Sequence, residues 1–158
     1  MSRPSRQELC ALRAQLERVR SIHDQVRDKL YPLPCDAAHF VNENTVVRIA
    51  AAFEAYNCQP DIAWGLPSKG RPEVCTRAVF FLRNVILHEA GGYLLSRKIH
   101  KYEERKHVYE ALCHLVPDAR VKEGERLKLG GEEVLTPLFQ GCIEYLNSQL
   151  KELSRSKD

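Results

Sequence analysis

Arg83-Asn84-Val85-Ile86-Leu87-His88 interrupts an otherwise almost continuously apolar run that extends from Val74 to Ala90 and stops at Gly91-Gly92. An apolar helix ordinarily carries Lys and Glu on its exposed side. This one carries an arginine, an asparagine and a histidine. Pro72 suits its first turn, and Glu73 suits the positive end of its dipole. Cationic and imidazole groups on an apolar scaffold suit phosphate chemistry.

Working outward, the pattern stays helical. From Gln7 to about Leu30, Leu9, Leu16, His23 and Leu30 form one i+7 series, and Leu12, Val19 and Val26 form another. Together they make a narrow seam that packs helix on helix. His23 stands where a leucine belongs, which reads as a core histidine with a hydrogen-bond partner. Tyr31-Pro32-Leu33-Pro34 ends this helix. A loop is then expected to about Asn42, with Asn42 or Asn44 as N-cap of a second helix over roughly Thr45 to Asn57. Its apolar face is Val46, Ile49, Ala50 and Phe53. Pro and Gly density predicts a loop over 58–71, anchored by Trp64. Beyond the glycine pair, a charge-rich helix is expected from Leu94 to Val116 and a short extended turn over Val121–Leu129. A last helix then opens at Gly130-Gly131 and runs to about Leu153. Leu135, Phe139, Cys142, Leu146 and Leu153 give it a seam that could pair with the first helix. The expectation is an all-α domain, an up-and-down bundle of four or five helices over 7–153. A basic tail (1–6) and a polar tail (154–158) flank it.

Composition agrees. The chain has 158 residues, with 44% hydrophobic and 28% charged, enough for one domain with one core. No apolar run approaches a membrane span and no secretory segment opens the chain, so a cytoplasmic location is expected. The net charge of +3 permits an acidic partner without demanding one. The six cysteines fit no zinc spacing and read as reduced core thiols. His100, His107 and His114 recur every seven residues, about 10 Å apart along a helix, too far for one metal site. No metal and no cofactor are expected.

On a helical wheel, Glu73, Arg77, Asn84 and His88 fall within a stripe of about 60°. Asn84 and His88 are i,i+4 neighbours, and Arg83 lies on a flank. The carbonyl-rich helix end favours a protonated His88. A histidine can take the proton of a ribose 2′-hydroxyl or give one to a leaving 5′-oxygen. An arginine can bind non-bridging phosphate oxygens, and an asparagine can orient the imidazole or hold the phosphate. Arg77, Tyr93 and Arg97 are further candidates for substrate contact. A plain solvated stripe would look the same from spacing alone.

The pattern Arg83-Asn84-x-x-x-His88, on an apolar helix of an all-α domain of this size, resembles the HEPN superfamily (higher eukaryotes and prokaryotes nucleotide-binding). Its members carry an arginine, four to six residues, then a histidine, often with a polar residue after the arginine. Detailed likeness covers only about residues 72–93. The resemblance implies a helical bundle and a metal-independent endoribonuclease, a toxin or defence effector. It implies a homodimer that brings two Arg/His pairs into one cleft, RNA as substrate and an antitoxin as partner. In the subgroup paired with a nucleotidyltransferase antitoxin, a tyrosine follows two residues after the histidine. Here that position is Ala90, and Tyr93 comes later. The alternatives are a non-catalytic nucleotide-binding or dimerisation module of the same fold, and an unrelated bundle with an accidental motif.

Overall fold

Ser5 and Glu8 start the first helix by capping each other. The Glu8 amide donates to Ser5 Oγ at 3.1 Å, and the Ser5 amide donates to Glu8 Oε2 at 2.7 Å, which satisfies two donors the helix start leaves open. The computed structural model describes residues 3–30, 35–58, 71–88, 129 and 135–156. Helix α1 spans Arg6–Leu30, α2 Cys35–Ala55, α3 Arg71–His88 and α4 Thr136–Arg155. No strand occurs among the described residues. The segment ahead of α1 is tied to α4: Arg3 pairs with Glu152 at 2.8 Å, and Arg6 donates to Ser154 Oγ at 3.3 Å.

The helices pack as a ring, α1 on α2, α2 on α3, α3 on α4 and α4 back on α1. This is the all-α bundle the periodicity predicts. In the α1 seam, Leu9, Leu12, Leu16, Val19 and His23 are buried. In the α4 seam, Leu135, Phe139, Cys142 and Leu146 are buried, and Leu153 packs against the same core. The expected pairing of first and last helices is therefore observed. Phe53 of α2 meets Phe80 of α3 edge-on at 5.9 Å and Tyr145 of α4 at 6.4 Å, so one aromatic ring touches two neighbouring helices.

Two helix starts differ from expectation. α2 begins at Cys35, not near Thr45, so Asn42 and Asn44 lie inside it rather than capping it. Residues 35–42 hold no Pro or Gly to prevent a helix. Their inward positions include His39 and Asn42, which break the apolar periodicity. α4 begins at Thr136, not at the glycine pair, with Pro137 in its first turn, where a fixed φ suits the helix. The expected helix over 94–116, the loop of Trp64, and Cys113 lie outside the described residues.

α3 is buried at every position from Cys75 to Leu82. Its closest neighbour is α4, at Gly141. A Cβ added there would lie 2.3 Å from both Cβ and Sγ of Cys75. Only hydrogen fits at that point. The thiols around it are structural: Cys75 and Cys142 are buried and unbridged. Burial pushes the Cys142 thiol well above the usual range, neighbouring Cys75 adds to this, and a hydrogen bond with Thr76 opposes it. Burial, with a smaller contribution from the charge of Glu8, pushes Cys58 up to about 11.

Two outcomes follow from this packing. Gly141→Ala should destabilise the fold by about 1–3 kcal/mol through overpacking, read as a lower urea midpoint. It should exceed the loss from an Ala replacement at exposed Gln140. The raised thiol of Cys58 stabilises the folded state fully below its ordinary pKa of 9.0, and that contribution is lost as pH rises through about 11. The urea midpoint should fall across that window. Cys58→Val should make the fall shallower.

Candidate functional site

The chain's polar motif sits where α3 leaves the core. After the unbroken burial of Cys75–Leu82, Arg83 and Asn84 are half-buried, Val85 is buried, and Leu87 is 55% exposed. Positions 83 and 87, and 84 and 88, are i,i+4 pairs, so they form one adjoining face over the last two turns. His88 is the last residue of α3; its side chain, and the residues Tyr93 and Arg97, lie outside the described residues.

Arg83 is held on two sides. Its Nη1 donates to Glu54 Oε1 of α2 in an ion pair with Arg83 about one-fifth exposed. Its guanidinium carbon lies 5.4 Å from the centroid of the Phe80 ring, one turn back, a cation–π placement that fixes the plane of the group. Its Nε is buried and has no hydrogen-bond partner among the described residues. A buried N–H without an acceptor costs about 1–3 kcal/mol.

Glu54 reaches Arg83 because α2 ends at a defined point. Asn57 takes a left-handed φ of 55°, and the Cys58 amide bonds back to the Phe53 carbonyl at 3.0 Å. This pair is the Schellman stop, and it fixes Glu54 in the last turn beside α3. Glu54 is the residue the sequence hid: it lies 29 positions from Arg83, and no spacing rule links them.

Arg77, on the same stripe of α3, is placed differently. It is buried, and its Nη2 donates to Glu73 Oε1 at 2.9 Å. The structure therefore brings Arg83 and Asn84 together at the emergent end of α3 and sets Arg77 inside the bundle.

A second polar cluster joins α1, α2 and Leu129. His23 Nε2 and Asn42 Oδ1 lie 3.0 Å apart, and the Asn42 amide donates to the Leu129 carbonyl. The Leu129 amide donates to His39 Nδ1 at 2.8 Å, and His39 Nε2 bonds Glu43 Oε1. The directions assign the protons. Asn42 gives its N–H to Leu129, so its Oδ1 accepts from His23 Nε2–H. His39 accepts at Nδ1 and so donates at Nε2. His23 is thus the hydrogen-bonded core histidine expected at that position. The cluster satisfies both backbone groups of a fully buried residue, Leu129.

Among the described residues there is no group of three or more metal-binding side chains, and no helix is long and apolar enough to cross a membrane. Comparison of the chain with protein-family models, with curated proteins and with solved structures found no match.

Asn42→Leu should strand the Leu129 carbonyl and the His23 Nε2–H together. The expected loss is about 1–3 kcal/mol for each stranded group, larger than for Asn44→Leu on the exposed side of the same helix. Urea unfolding of the two variants beside the unaltered protein measures it.

Proposed function

We propose that this chain is a HEPN-type endoribonuclease that works as a homodimer, with Arg83, Asn84 and His88 as its catalytic set. The observation that carries the reading is the emergence of α3 from the core at Arg83. Arg83 and Asn84 are half-buried there, beside an exposed leucine in the last two turns. A large apolar side chain beside a half-buried arginine is what a face covered by a second copy would present. The all-α bundle agrees with the fold that the motif implies.

In this reading the 2′-oxygen of a ribose attacks the adjacent phosphorus and the bond to the 5′-oxygen breaks. The products are a 2′,3′-cyclic phosphate and a free 5′-hydroxyl. His88 moves a proton, taking it from the 2′-hydroxyl or giving it to the leaving oxygen. Arg83 meets the non-bridging oxygens with the part of its guanidinium that stays exposed and offsets the charge that develops on them. Asn84, one turn before His88, orients the imidazole or the phosphate. Glu54 and Phe80 hold the guanidinium plane. The proposed chemistry needs no metal ion.

One observation favours a second reading, a non-catalytic binding or dimerisation module. The Arg83–Glu54 ion pair already gives the guanidinium a carboxylate partner. In that case Arg83 ties α3 to α2, and the motif has a structural use.

RNA cleavage in the presence of EDTA separates the two. The unaltered protein should yield cyclic-phosphate ends. His88→Ala should reduce the rate by about 10²- to 10⁴-fold with an unchanged circular-dichroism spectrum. Leu87→Asp should convert the dimer to a monomer by light scattering and lose cleavage with it. Absence of cleavage by the unaltered protein over varied RNAs would favour the binding module. Equal cleavage by the His88 variant would remove the proposed site.

A further inference from the structure

A groove of about 570 Å³ runs between α1 and α2. Its floor is apolar: Val19, Ile22 and Val26 from α1, and Val41 from α2. Ile22 is 53% exposed, and Phe40, at its edge, is 66% exposed. Two large hydrophobic side chains left in water beside one cavity are an unfilled surface rather than a finished one.

Charge identifies what fills it. Arg18 and Arg48 line the groove from its two helices, and no carboxylate among the described residues lines it. Neither arginine forms an ion pair with a described residue. Arg3, Arg20, Arg27, Arg77 and Arg83 all do. The carboxylates of α1 lie around the helix: Glu17, Asp24 and Asp28 line a separate crevice toward Ile143 of α4. Among the described residues, α1 thus places Glu17, Asp24 and Asp28 away from the apolar groove.

We infer that this groove is a docking site for an acidic amphipathic helix of a partner protein. Along α1 the lining runs from Gln15 to Val26, roughly 16 Å, which matches three turns of an incoming helix. Such a helix sets apolar side chains at i, i+3 or i+4 and i+7 over Ile22, Val26 and Phe40. Glu or Asp on its flanks reaches Arg18 on one side and Arg48 on the other. A second copy of this chain is a poor occupant in a two-fold arrangement, because an isologous contact would set Arg18 and Arg48 against themselves.

The test uses the full chain and a fluorescent 14-residue helical peptide with leucines on one face and glutamates flanking them. A second peptide carries lysines in place of the glutamates. The glutamate peptide is expected to bind at least about tenfold more tightly, a difference of about 1.4 kcal/mol, and to weaken as salt rises. Arg18→Glu with Arg48→Glu should reverse the preference, and Phe40→Ala should weaken binding of the glutamate peptide. All three positions are exposed, so the variants should keep their helical spectrum. Equal affinity for the two peptides, no binding of either, or a dimer that vanishes in Phe40→Ala each overturns the proposal. RNA cleavage is not read in this experiment, so its outcome is independent of the nuclease reading.

Discussion

The contact of α3 with α4 at Cys75 and Gly141 fixes the geometry on which the rest depends. A missing side chain at position 141 lets α4 approach the base of α3 so closely that a Cβ would collide with Cys75. From that point the first half of α3 has protein around it, and every residue from Cys75 to Leu82 is buried. Unbroken burial ends at Arg83, while Val85 stays buried and Ile86 still packs against the core. The polar motif therefore begins where burial becomes partial. A larger residue at position 141 would push α4 away from Cys75 of α3.

The bundle also depends on a constraint of opposite character. Leu129 is fully buried, and its peptide groups must find partners inside the protein. His39 accepts its N–H and Asn42 gives one to its carbonyl. His23 closes the chain of bonds from α1. An imidazole with an unprotonated Nδ1 accepts at that place, and the Asn42 amide both accepts from His23 and donates to Leu129. Hydrophobic substitutes would fill the space and leave backbone groups unpaired.

The apolar seams of α1 and α4 were legible because their inward residues are almost all hydrophobic and repeat at helical spacing. The first ten residues of α2 were not, because His39 and Asn42 face inward for a polar reason that lies 87 or more positions away in Leu129. A local pattern has no record of that partner. The same holds for the candidate site. Arg83 and Asn84 announce themselves by breaking an apolar run, whereas Glu54 is an ordinary glutamate near a helix end until the fold brings α2 beside α3. Arg77 shares a wheel stripe with Asn84, but the stripe enters the core at one end and leaves it at the other. A wheel shows angle and carries no depth.

Depth is also what gives Arg83 its interest. A lysine at the exit of a buried helix could snorkel to water with its single charge. An arginine has a plane and five donors. Phe80 fixes the plane, and Glu54 takes one end of the fork. These two contacts leave the Nε edge with a set direction and no acceptor among the described residues. A purely structural ion pair is most stable when the carboxylate meets two donors side by side. Here the carboxylate is engaged at Nη1 alone, an arrangement that holds the group still and leaves its buried Nε without an acceptor among the described residues. That asymmetry gives the ion pair a use in the proposed site, as support for the arginine rather than its final partner.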